Sequence, residues 1–82
     1  MNLMNNNEKY KNVFSKSLSI ESSKVSENLK YNDIPEWDSI GHMTLISGLE
    51  DEFNISIETD DIIDFSSFEK GKEILKKYKI TF

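Results

Sequence analysis

Apolar residues recur along this chain at spacings of three and four in three separated stretches, with no sustained alternation in between. Tyr10, Val13, Phe14 and Leu18 form the first stripe and predict an amphipathic helix over residues 8–18. An Asn at position 6 or 7 can cap it, and residues 1–6 ahead are expected to be frayed. From 19 to 38 the period is lost. Ser, Asn and Asp accumulate there, Pro35 appears, and Val25, Leu29, Ile34 and Trp37 are scattered. A connection this long exceeds the roughly 12–15 residues beyond which irregular loops are uncommon and usually functional. Its apolar residues predict that it packs across the helices.

A second helix is predicted to open at Asp38-Ser39, two residue types favoured at N-caps, just after Pro35. His42, Leu45, Ile46, Leu49 and Phe53 share one stripe of it and should face the core. Ile40 and Asp51 lie nearly opposite that stripe, with Met43 and Glu50 on its flank. Asn54 is a natural stop. Residues 59–64 read as one short helical turn capped by Thr59. The last helix should carry Phe68, Ile74, Leu75 and Tyr78, with Ser66 at N-cap and Glu69 completing a capping box. The core is expected to join Phe14, Leu45, Leu49, Phe53, Ile62, Phe68 and Ile74. The fold class that follows is all-α: a small four-helix bundle, three main helices plus one short helix, with a long loop between helices 1 and 2. At 82 residues the chain is read as a single domain, 1–82, with a thin core.

The charge pattern narrows the partners. All ten basic residues are Lys, and between 31 and 69 there are eleven acids and no Lys. The two ends hold the remaining four acids beside all ten Lys. An acidic centre without Arg repels nucleic acid and anionic lipid and attracts basic protein surfaces. There is no Cys, which excludes a disulfide framework, thiol catalysis and thiolate metal sites. No run of about 18 apolar residues occurs, and the Asn-rich start does not look like a secretory leader. A cytoplasmic location without stable membrane association is the expectation.

Asp38, Ser39 and His42 are the ingredients of a hydrolase triad, but Asp38 is beside the Ser and not behind the imidazole. Trp37 and Gly41 give W-D-S-I-G where a nucleophile elbow needs G-x-S-x-G. The chain is therefore not read as an enzyme, and His42 is read as a residue on the edge of the core stripe. Asp60, Asp61 and Asp64 lack the spacing and Gly of an EF-hand loop, so no dedicated metal site is expected. Ser39 remains, at a helix start where N–H groups and the helix dipole favour a phosphate ester. A Ser in that place is usually only a cap.

The wider context is more specific. The run from Trp37-Asp38-Ser39-Ile40-Gly41-His42 to Leu49-Glu50-Asp51-Glu52-Phe53 resembles the acyl carrier protein family and its carrier-domain relatives. The family's Asp-Ser-Leu is here Asp38-Ser39-Ile40, and its Leu-Glu-x-Glu-Phe ending is Leu49 to Phe53. The resemblance extends to the long first loop, the acidic short third helix with Ile62 and the capped last helix.

It implies that a phosphopantetheinyl transferase, using coenzyme A and magnesium, converts Ser39 to a 4′-phosphopantetheine ester whose thiol holds an acyl or aminoacyl group. Asp38, Ile40 and His42 flank that Ser and are the residues expected to touch the group. Partner enzymes that load and transfer the acyl group should dock, through basic patches, on Ile40, Met43, Thr44, Ser47, Glu50, Asp51, Asp60 and Asp61. A monomer is expected. Trp37 before Asp-Ser and His42 after it look more like specialised carriers of polyketide, nonribosomal-peptide, D-alanyl-transfer or surface-polysaccharide pathways than the housekeeping fatty-acid carrier. An unmodified acidic docking domain and a small hydrolase are the alternatives from other classes.

Overall fold

The computed structural model describes residues 5–82, and four helices form its frame. They are α1 (Asn6–Leu18), α2 (Ser39–Phe53), α3 (Thr59–Asp64) and α4 (Phe68–Lys76), with no named strand among the described residues. A single 3-10 turn, Ser22–Lys24, interrupts the long first loop. The expected all-helical bundle is therefore observed.

Local chemistry sets the helix ends. Asn5, not Asn6 or Asn7, caps α1: its side-chain oxygen accepts the Glu8 N–H at 2.8 Å. Residues 5 and 6 are thus the N-cap and the first residue of α1, while residues 1–4 of the start expected to be frayed lie outside the described residues. Ser19 ends α1 in the left-handed region at φ 54, and Asn54 ends α2 the same way, as its side chain tolerates. Thr59 is the first residue of α3 and not its cap; Glu58 occupies the N-cap with no side-chain hydrogen bond. The cap of α4 is Ser67, whose hydroxyl accepts the Lys70 N–H at 2.9 Å. The expected Ser66–Glu69 capping box is displaced by one residue. Its cause is visible in the loop: Tyr31 donates its N–H to the Ser66 carbonyl and Phe68 donates to the Leu29 carbonyl, both at 2.9 Å. These two bonds pair Ser67 with Lys30 in an antiparallel bridge, and Ser67 is held extended at φ −160, ψ 166 just ahead of the helix.

That bridge fixes one end of the long loop, and buried Ile20, Val25, Leu29 and Trp37 fix the rest. Trp37 is fully buried and forms an aromatic cluster with Tyr10, Phe14, Phe65 and Phe68, Phe14 standing edge-on to Trp37 at 5.3 Å. The Tyr10 hydroxyl donates to the Phe68 carbonyl at 2.6 Å, and burial pushes its pKa well above 10. Phe14, Leu45, Leu49, Phe68 and Ile74 are buried as expected, but Phe53 and Ile62 are only partly covered. Trp37 and Phe65, from irregular segments, take the central places.

Gly48 sits where α2 crosses α1. A Cβ there would come within 2.6 Å of the Ser17 hydroxyl and 3.0 Å of a Val13 methyl. Its helix-propensity cost of about 1 kcal/mol is offset by the close approach it permits.

Candidate functional site

Asp38 and Ser39 divide the work at the start of α2. Asp38 is the N-cap, and its Oδ1 accepts the Gly41 N–H at 2.8 Å. Its carbonyl accepts the His42 N–H at 2.7 Å. Ser39 is the first residue of the helix itself, exposed, and outside these capping hydrogen bonds. The donors of the first turn not taken by Asp38 are the N–H groups of Ser39 and Ile40, beside the Ser39 hydroxyl. Gly41 lets the preceding chain pass beneath this turn, because a Cβ at Gly41 would collide with the Glu36 carbonyl oxygen.

His42 links three segments. The Trp37 indole donates to its Nδ1 at 2.9 Å, and its Nε2 lies 2.9 Å from the Ile62 carbonyl of α3. An indole N–H can only donate and a carbonyl can only accept, so the network assigns Nδ1 as acceptor and Nε2 as the protonated nitrogen. Both nitrogens are committed to the fold, and neither is free to take a proton from Ser39. His42 stacks at 20° to Trp37, and the ring of Phe65 stands edge-on to it at 5.8 Å.

Beside Ser39, between α2 and α3, lies an apolar cavity of about 330 Å³. It is lined by buried Phe65, by half-buried His42 and Ile62, and by exposed Tyr31, Met43 and Ile63. On the other side of Ser39 a shallow depression runs along Ile40, Met43, Thr44 and Ser47. Ile40 and Met43 are 77% and 55% exposed, as their place off the core stripe predicts. Thr44 and Ser47 are exposed too, and the Thr44 hydroxyl donates back to the Ile40 carbonyl at 3.1 Å.

The expected ring of free carboxylates is only half present. Asp51 and Asp60 are exposed, Asp51 at the edge of the α1–α2 groove near Lys16. Glu50 is half-buried, and its Oε2 accepts the Ile57 N–H at 2.8 Å, which ties down the connector after α2. Asp61 is the correction: it is buried, not exposed for docking. Lys77 donates to its Oδ1, and the Tyr78 hydroxyl donates to its Oδ2 at 2.6 Å. These two hydrogen bonds, Lys77 first, hold the Asp61 carboxyl below its ordinary pKa, and the bond to Asp61 raises that of Lys77. Asp61 therefore fastens α3 to the C-terminal segment.

Sequence reasoning missed the cavity lining contributed by Tyr31, Ile62, Ile63, Phe65 and Ser66, and the hydrogen bond between Trp37 and His42. Ile63, 74% exposed, adds a third apolar side chain to the rim. Its signal was available, since in a six-residue helix only one of the adjacent pair Ile62 and Ile63 can face inward. The Trp37–His42 hydrogen bond had no such signal, because it crosses from irregular loop to helix. No protein-family model matches this chain, and no curated protein matches it.

Proposed function

We propose that this chain is a carrier protein on which Ser39 accepts 4′-phosphopantetheine from coenzyme A. The observation that carries the reading is the division at the start of α2: Asp38 does the capping, and the Ser39 hydroxyl is exposed. The residues present suit a phosphate ester, since two N–H donors and the positive end of a 15-residue helix lie next to that oxygen. The arm would supply the thiol that a chain without Cys lacks, to hold an acyl or aminoacyl group as a thioester. Ile40, Met43 and Ile63 offer apolar anchors around Ser39 for a phosphopantetheinyl transferase and for acyl-loading and acyl-transfer enzymes. Cytoplasmic work as a single chain, in a specialised pathway, fits the acidic centre and the Trp37–His42 pair.

Incubation with coenzyme A, magnesium and a broad-specificity transferase should raise the intact mass by one phosphopantetheine. Ser39→Ala should gain nothing while keeping its helical circular dichroism. Addition of the group to Ser39→Ala, or none to the wild type with several transferases, would overturn the reading. The second of those outcomes leaves an unmodified docking domain, for which the exposed apolar trio would serve equally.

A further inference from the structure

α3 is six residues long, and an isolated helix below about 12–15 residues is marginal in water, so its order comes from its surroundings. Little of it comes from apolar burial. Asp61 is the one buried residue of the helix, Ile62 is only partly covered, and Ile63 is exposed. Its own ends are poorly served as well. Glu58 at the N-cap makes no side-chain capping bond, and Asp64 sets a negative charge at the C-terminal end of the helix.

The missing partners come from the segment after α4. The Tyr78 hydroxyl donates to Asp61 Oδ2 at 2.6 Å and accepts the Glu58 N–H at 2.9 Å, so one side chain serves both the buried carboxylate and the helix start. Lys77 donates to Asp61 Oδ1. Both residues belong to the turn that closes α4. There Lys79 stands in the left-handed region at φ 68, the Ile80 N–H reaches the Leu75 carbonyl at 3.2 Å, and Ile80 is buried. Apart from these bonds, the side-chain hydrogen bond that α3 makes among the described residues is the one between His42 Nε2 and the Ile62 carbonyl. Buried Ile57 and Phe65 hold the chain on either side of the helix.

We propose that residues 77–80 are a strap that holds α3 in place: when its contacts are lost, residues 58–64 lift as one unit between Ile57 and Phe65 while α1, α2 and α4 stay folded. The driving force is Asp61. A buried carboxylate without partners is costly, and lifting α3 returns it to water. Lifting also gives up the His42 bond and carries Ile63 away from its place on the cavity beside Ser39, so the segment after α4 controls the surroundings of Ser39, whatever that residue carries.

The test is amide hydrogen exchange, followed by NMR in the full chain. The Ile62 N–H, which donates to the Glu58 carbonyl, reports on α3, and the Phe14 and Leu49 N–H groups report on α1 and α2. In Lys77→Met/Tyr78→Phe the Ile62 amide should exchange roughly 30-fold faster or more, with the His42 ring N–H in step with it. The Phe14 and Leu49 amides should change less than about threefold. With Asp61→Leu in the background no carboxylate is left to solvate, and the same strap substitutions should speed Ile62 no more than about fivefold. If Lys77→Met/Tyr78→Phe does not fold, Tyr78→Phe alone carries the comparison, with Ile62 about fivefold faster and Phe14 and Leu49 unmoved. Equal acceleration at all three amides would make α3 part of one cooperative unit and overturn the proposal. No acceleration at Ile62, or an undiminished one in the Asp61→Leu background, would overturn it too.

Discussion

The Trp37 indole N–H donates to His42 Nδ1 at 2.9 Å, which ties the last turn of the long loop to the first turn of α2. The same ring reaches the Ile62 carbonyl, so one imidazole holds loop, α2 and α3 together around Ser39. Trp37→Phe keeps an aromatic ring in the core but leaves Nδ1 without its donor. The loss should be about 1–3 kcal/mol, read as a lower urea midpoint at unchanged slope. Nitrogen-15 spectra of the wild type should show the neutral His42 ring as the Nε2–H tautomer. The Nδ1–H tautomer would contradict the network.

Asp38 and Ser39 are adjacent and are both favoured cap residues, yet their substitutions should differ. Asp38→Ala removes the acceptor of the Gly41 N–H and should cost about 1 kcal/mol. Ser39→Ala removes no capping bond and places the best helix former at the first helical position, so thermal stability should be unchanged or slightly raised. Gly41→Ala should be the worst of the three, because its methyl meets backbone at Glu36 that only a shift of the loop can clear. A cost of about 1–3 kcal/mol is expected. Equal midpoints for all three variants would refute this account of the helix start.

The contrast between α2 and its surroundings shows what a sequence of this kind discloses. Periodic apolar spacing located α1 and the whole of α2, and its off-stripe positions located the exposed Ile40 and Met43. Caps were placed by residue type alone, and Ser66 against Ser67 was decided by something residue type does not carry: the bridge from Tyr31 to the Ser66 carbonyl. Phe65 and Trp37 lie outside any helix, so no period marked them as the centre of the core. Asp61 looked like one more surface acid in an acidic run. Its partners, Lys77 and Tyr78, come from the far end of the chain, and nothing local announces them.

That cluster makes a pH prediction with a definite sign. The Asp61 pKa is lowered from 3.8, so its stabilisation is present above 3.8 and is lost as pH falls through the lower folded value. The Lys77 pKa is raised from 10.5, so its share is present below 10.5 and is lost as pH rises through the higher folded value. Tyr78 is raised as well, by burial and then by its bond to Asp61, and adds to the alkaline loss. Thermal melts across the acid range should show the wild type losing stability below about pH 3.8 more steeply than Asp61→Asn, which has no carboxylate to protonate. Parallel acid limbs would mean that Asp61 does not couple α3 to the C-terminal segment.

Docking at Ser39 should divide between charge and apolar contact, and the structure selects which acids to test. Glu50 is unsuitable because its carboxylate holds the Ile57 N–H, and Asp61 because it is buried; reversing either would disturb the fold before any partner is met. Asp51 and Asp60 are exposed, and reversing both to Lys should leave the melting temperature within a few degrees of the wild type. If the acidic surface steers a transferase with a basic entrance, the double reversal should slow modification of Ser39 severalfold at low salt. Added salt should slow the wild type in the same way and shrink the difference between the two. Ile40→Ala removes a side chain that is 77% exposed and next to Ser39. It should weaken modification through faster dissociation, with the salt dependence of the wild type retained. Equal low-salt rates for the wild type and the double reversal, with several transferases, would assign Asp51 and Asp60 to solubility and leave Ile40, Met43 and Ile63 as the whole of the proposed docking surface.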